Sequence, residues 1–132
     1  MTNVETVRRL YDAFAARDAA AIRRLFAPDI EWIQNAGFPG GGRHVGADAV
    51  LNDVFAKFRT DWSAWQVVVD EYLDAGDTVV VLGEYRGTHA RTAKSMTAAF
   101  AHLYDVRGGR ITRFRQYTDT AMVAAAMAGD ER

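Results

Sequence analysis

Apolar positions change their period once along this chain. In the first half Val4, Val7, Leu10, Tyr11 and Phe14 recur at three- and four-residue intervals, which predicts one helical stripe. Thr2-x-x-Glu5 stands at its head as a capping box. Asp18 predicts a second N-cap, because its carboxylate can accept from the free backbone N–H groups of the next turn. That short helix carries Ile22, Leu25 and Phe26 and is expected to stop at Pro28. Residues 29–34, DIEWIQ, predict a short strand. NAGFPGGGRHVG, with five glycines and a proline in 12 residues, predicts a loop. A third helix is expected from about Ala47, with Val50, Leu51, Val54, Phe55 and Phe58 on one side.

From there the pattern becomes that of strands: WQVVVDEYL, TVVVLGEYRGTH, MTAAFAHLYDV and ITRFRQYTD, separated by turns such as DAGD and RGGR. Gly108-Gly109 suits a two-residue hairpin, since both residues tolerate positive φ. TAMVAAAMAG predicts a last short helix closed by Gly129. Helices first and antiparallel strands afterwards give an α+β fold. One twisted sheet is expected to wrap the first helix and leave a cavity between them. No repeat, low-complexity tract or linker interrupts the pattern, so residues 1–132 are expected to form a single domain.

Composition narrows the function classes. Hydrophobic residues make up 49% of the chain, enough for a real core. With 16 basic against 17 acidic residues, the net charge of −1 offers no general attraction to nucleic acid or to an anionic membrane surface. No run approaches about 18 apolar residues, so no membrane span is expected. The start, MTNVETVRRL, lacks a signal-peptide apolar core, and the cytoplasm is the expected compartment. Cysteine is absent, which excludes disulfides and thiolate chemistry. His44, His89 and His102 are the only histidines and no two share metal-ligand spacing, so neither a metal nor a cofactor is expected. The glycine loop lacks the GK[ST] ending of a phosphate-binding loop. It is read as a mobile flap at a pocket mouth.

Chemistry concentrates at RQYTDTAM, residues 115–122. Asp119 there is either a catalytic base or the N-cap of the following helix. A regular RGGR turn would set His102 opposite Arg115 and put Tyr117 and Asp119 on its face. One bulge residue would set His102 opposite Gln116 instead. A one-residue slip moves every side chain to the other face, and bulges are frequent near sites. Trp62 and Trp65 suit either a core or a dimer interface.

Two stretches, VRRLYDAFAARDAAAIRRLFAPDIEW and AHLYDVRGGRITRFRQYTDTA, resemble the nuclear-transport-factor-2-like superfamily in their order and spacing. That superfamily includes ketosteroid isomerase, limonene-epoxide hydrolase and the SnoaL-like polyketide cyclases. The back half is most similar to ketosteroid isomerase-related, SnoaL-like proteins. The resemblance implies a cone-shaped barrel, with N-terminal helices packed on a curved, mostly antiparallel sheet. It also implies a lipophilic pocket and a homodimer formed through the sheet.

The resemblance tests each chemistry at named positions. In a ketosteroid isomerase pattern the tyrosine position falls on Leu10, the base on Gln34 and the oxyanion aspartate on Ala101, so that activity is not expected. Tyr11 lies one residue away from the tyrosine position, about 100° round a helix. The last-strand aspartate of the epoxide hydrolases falls on Gln116, although Glu84 and Arg86 stand on an earlier strand. SnoaL-like cyclases pair that aspartate with a histidine, and here the histidine is present as His102. The resemblance favours the bulged register.

The candidate catalytic set is therefore His102, Gln116 and Asp119. Trp32, Phe14, Phe55, Tyr85, Phe100 and Phe114 are the candidate substrate-binding residues, and Tyr85 or Tyr117 a candidate phenolic donor. The expected function is a small-molecule pocket protein of SnoaL-like type. As an enzyme it would be a cofactor-independent acid–base isomerase, cyclase or hydrolase acting on a lipophilic or polyketide-like compound. The alternative is a non-catalytic ligand-binding or dimerisation module in which His102 only satisfies a core hydrogen bond.

Overall fold

The structure is a computed structural model and describes residues 1–129. Its elements follow the order α1 (Asn3–Ala15), α2 (Ala19–Leu25), β1 (Phe26–Gln34), β2 (Gly42–Val45), α3 (Ala47–Ala49), a π-helical stretch (Val50–Phe55), α4 (Ala56–Asp61), β3 (Trp62–Ala75), β4 (Thr78–His89), β5 (Ser95–Arg107), β6 (Arg110–Thr118) and α5 (Thr120–Met127). The strands form one six-stranded sheet in the order β2-β1-β6-β5-β4-β3. β1 runs parallel to β6, and the other neighbours are antiparallel. The sheet is curved and unclosed, and the N-terminal helices pack on its concave face.

Both N-caps read from the sequence are present. Thr2 accepts from the Glu5 N–H while the Glu5 carboxylate accepts from the Thr2 N–H, which completes the capping box. Asp18 accepts from the Ala21 N–H. Val7 and Leu10 then turn the apolar face of α1 into the core.

Two boundaries differ from expectation. The second helix ends at Leu25, three residues before Pro28, and Phe26 already begins β1. Pro28 sits where the β1–β6 register shifts between Phe26 and Glu31, a place where a residue without an N–H removes no ladder bond. The glycine loop is also shorter than expected, because Gly42–Val45 pairs with β1 as an edge strand. Phe38, at the loop's centre, is not a free flap. It is buried among the rings of Phe58, Trp65 and Tyr85.

The β5–β6 hairpin takes the bulged register. Gly108 and Gly109 have φ of 58° and 77°, which makes the tight turn that two such residues allow. Arg107 pairs with Arg110 and Val106 with Ile111, after which the register shifts and Asp105 pairs with Arg113. Thr112 is thus the extra residue, and its hydroxyl donates to the Asp105 carbonyl. Beyond the shift His102 faces Gln116.

On β4, Gly83 is needed for packing. A Cβ there would lie 2.2 Å from the Val68 carbonyl oxygen and 2.8 Å from the Phe100 ring. A side chain at Gly83 would therefore force apart β3 and the ring that backs His102.

Candidate functional site

The concave face carries alternate residues of four strands. β1 contributes Trp32 and Gln34, β4 contributes Tyr85, β5 contributes His102 and Tyr104, and β6 contributes Phe114 and Gln116. Helix α1 crosses this face and adds Leu10, Tyr11 and Phe14, and Phe55 comes from the π-helical stretch. The extra residue per turn of that stretch is a local distortion common at functional sites. Together these residues line a cavity of about 40 Å³. Its wall is aromatic, with Trp32 stacked on Phe114 at 3.7 Å and Phe14 meeting Phe55 edge-on at 5.0 Å.

One continuous chain of hydrogen bonds runs through this apolar setting. The Tyr104 hydroxyl donates to the Tyr11 hydroxyl at 2.9 Å. Tyr11 bonds His102 Nδ1 at 2.7 Å, and Tyr85 bonds His102 Nε2 at 2.5 Å. Gln116 Nε2 donates to the Tyr85 hydroxyl at 2.7 Å. Gln116 Oε1 in turn accepts from the Asn35 backbone N–H at 3.0 Å, which fixes the orientation of the amide. Both nitrogens of His102 are therefore occupied, and the Phe100 ring stacks on the imidazole at 3.8 Å.

Burial sets the protonation states. It pushes His102 well below its ordinary value of 6.5, so the imidazole is neutral at neutral pH. The same desolvation raises the phenols of Tyr11, Tyr85 and Tyr104, the first of them raised further by Tyr104 beside it. The chain is a run of neutral groups. No carboxylate lines the cavity among the described residues.

Gln34 ends differently from Gln116. Its Oε1 accepts from the Trp32 indole N–H at 2.9 Å, an assignment that follows because an indole nitrogen only donates. Its Nε2 is buried and has no partner among the described residues.

Of the candidate residues, the structure brings His102, Trp32, Phe14, Phe55, Tyr85 and Phe114 to the cavity. Gln116 reaches it through Tyr85, and Phe100 stands behind His102. Asp119 does not join them. It is exposed and accepts from the Met122 N–H as the N-cap of α5. Tyr117 is 53% exposed, on the opposite face of β6 from Gln116. Glu84 and Arg86 pair with each other at 2.6 Å, and they alternate with the inward-facing Tyr85 along β4. His89 accepts from the Arg91 N–H in the turn after β4. Trp62 and Trp65 pack inside the protomer, with Trp65 stacked on Phe58 at 4.5 Å.

Tyr11, Tyr104 and Gln34 also belong to the site, although none is among the candidate residues expected from the sequence. Tyr104 had a signal, since it lies two residues beyond His102 on the same strand face. Tyr11 lies about 100° round the helix from Leu10, but the curved sheet reaches α1 over a wide arc and both residues line the cavity. Gln34 stands where the resemblance places a base, and its amide carries no acid to draw attention to it.

Comparison with known proteins agrees with this fold. A crystal structure of an NTF2-like protein from Burkholderia thailandensis is 40% identical, covers 97% of this chain and 98% of its own, and superposes with a TM-score of 0.93. A crystal structure of TerC co-crystallized with polyporic acid is 27% identical over 95% of this chain and 97% of that one, with a TM-score of 0.85. An uncharacterised protein of Mycobacterium tuberculosis is 31% identical over 120 residues, 90% of this chain and 91% of its own length. Residues 7–114 match the SnoaL-like domain, and the chain belongs to that family, within the nuclear-transport-factor-2-like superfamily.

Proposed function

We propose that this chain is a small-molecule pocket protein that works as a cofactor-independent acid–base enzyme of isomerase or cyclase type on a lipophilic, polyketide-like compound. The observation that carries this reading is the chain Tyr104–Tyr11–His102–Tyr85–Gln116, built of proton-bearing groups inside an aromatic wall. Such a chain can give a proton to a substrate oxygen from one phenol, with His102 passing its ring N–H proton to that phenol while its other nitrogen takes the hydroxyl proton of the second tyrosine, which the proton leaving the substrate restores. The co-crystallisation of TerC with polyporic acid supports a small aromatic ligand.

Carbon-proton abstraction by a carboxylate, as in steroid isomerisation, is not part of this reading, because a neutral amide stands at Gln34. A cavity of about 40 Å³ is also far smaller than a ligand pocket of roughly 300–1,000 Å³. In this reading the cavity wall must widen for a substrate to enter.

A second reading, a ligand-binding module without catalysis, is favoured by one observation. Both ring nitrogens of His102 are already bonded.

The test begins with the compound extracted from purified protein. Returned to the wild type it is bound and converted. His102→Gln, which keeps a polar group but breaks the proton chain, is expected to bind it and to convert it at least about 100-fold more slowly. Binding without conversion by the wild type would establish the second reading. An empty extract, with no binding of lipophilic probes, would overturn both.

A further inference from the structure

The cavity holds more hydrogen-bond donors than its own acceptors use. Gln34 supplies the first surplus. Its carbonyl end is held by Trp32, so its NH₂ group is turned away from that bond, is buried, and has no partner. An unpaired amide N–H in an apolar wall is costly, and native structures rarely keep one without a use.

The second surplus follows from a count of hydrogens. Three bonds join Tyr104 to Tyr11, Tyr11 to His102 and His102 to Tyr85. The groups concerned carry three phenolic hydrogens and, on a neutral imidazole, one ring N–H. Four hydrogens serve three bonds, because Tyr85 receives its further bond from Gln116. One phenolic hydrogen is left over whichever tautomer His102 adopts, and protonation of the ring would leave two. All three tyrosines, like Gln34, line the cavity. A site with spare donors and no spare carboxylate suits an oxygen that only accepts.

We infer that the Gln34 amide and the leftover tyrosine hydroxyl form a binding site for the carbonyl oxygen of an uncharged aromatic ketone or ester. The inference rests on the pocket reading above and narrows its ligand. Trp32, Phe114 and Phe55 supply flat surface for the ring that bears the carbonyl, and the two donors fix the oxygen. An anion gains less here, since no cation lines the cavity among the described residues.

A matched pair of probes tests it without any variant. Acetophenone and α-methylstyrene have nearly the same shape, but only the ketone carries an acceptor. Titration followed by tryptophan fluorescence is expected to show the ketone bound about three- to tenfold more tightly, the value of one net hydrogen bond. The ¹³C carbonyl resonance of bound acetophenone should lie downfield of its position in cyclohexane. Gln34→Met should remove most of the affinity difference between the two probes and much of the shift. Equal affinities in the wild type, or an unshifted carbonyl, would overturn the donor site and leave the pocket standing. If neither probe binds at millimolar concentration, the pocket reading falls together with this one.

Discussion

Gln34 and Gln116 lie on neighbouring strands of the concave face, and each is 3% exposed. Their amides meet different surroundings. Gln116 uses both ends, with its oxygen on the Asn35 N–H and its nitrogen on the Tyr85 hydroxyl. It ties β6 to the end of β1 and to β4 at once. Gln34 uses one end only, and its nitrogen is left without a partner. Equal burial of the same side chain thus gives two roles. A saturated amide holds the fold, and a half-used amide is available to something the protein does not itself contain.

The sharpest way to break that contrast is Gln116→Leu. The substitution strands a backbone N–H and removes the donor that positions Tyr85. Each buried group left unpaired costs about 1–3 kcal/mol, so an overall loss of about 2–4 kcal/mol is expected in urea unfolding. The Asn35 amide should also exchange its hydrogen faster. A variant as stable as wild type would mean that Gln116 is not the structural member of the pair.

Why the sequence pointed to Gln116 and not to Gln34 has a physical explanation. The helices, the four long strands of the second half and the two N-caps were legible because each rests on local periodicity or on a side chain three residues from its target, as with Thr2 and Glu5. The hairpin register depended on one bulge at Thr112, and turn composition alone left two registers open. Asp119 stood out as an acid but caps α5. Tyr11 contacts His102 across 91 positions of sequence, a contact that no local pattern encodes. The spare nitrogen of Gln34 is less visible still, because it depends on Trp32 taking the oxygen and on nothing else approaching.

A smaller effect tests whether His102 belongs with the saturated side of the comparison. In the unfolded chain its imidazole titrates near 6.5, and in the fold burial holds it well below that. The unfolded state therefore binds more protons below about pH 6.5, and stability should fall as pH drops from there towards the folded value. The slope is at most about 1.4 kcal/mol per pH unit. Carboxylates contribute their own acid slope in every variant, so the informative quantity is the difference from His102→Gln. That variant should show the shallower decline between pH 6.5 and 5.5 in thermal unfolding. Parallel curves for the two proteins would show that His102 is reached by protons without unfolding.

The smallest expected effect belongs to Gln34→Met, and its smallness is the point. Removing the amide deprives the Trp32 indole N–H of its acceptor, which costs about 1–3 kcal/mol. It also removes a buried NH₂ that has no partner and replaces it with an apolar group of similar length, which works in the opposite direction. The two terms largely cancel, and a net change below about 1 kcal/mol is expected in the same urea experiment that shows a large loss for Gln116→Leu. A residue fully engaged in holding the fold could not be exchanged so cheaply. If Gln34→Met instead matched Gln116→Leu in its cost, the Gln34 nitrogen would have a partner within the folded chain, and there would be no unused donor for a ligand to find.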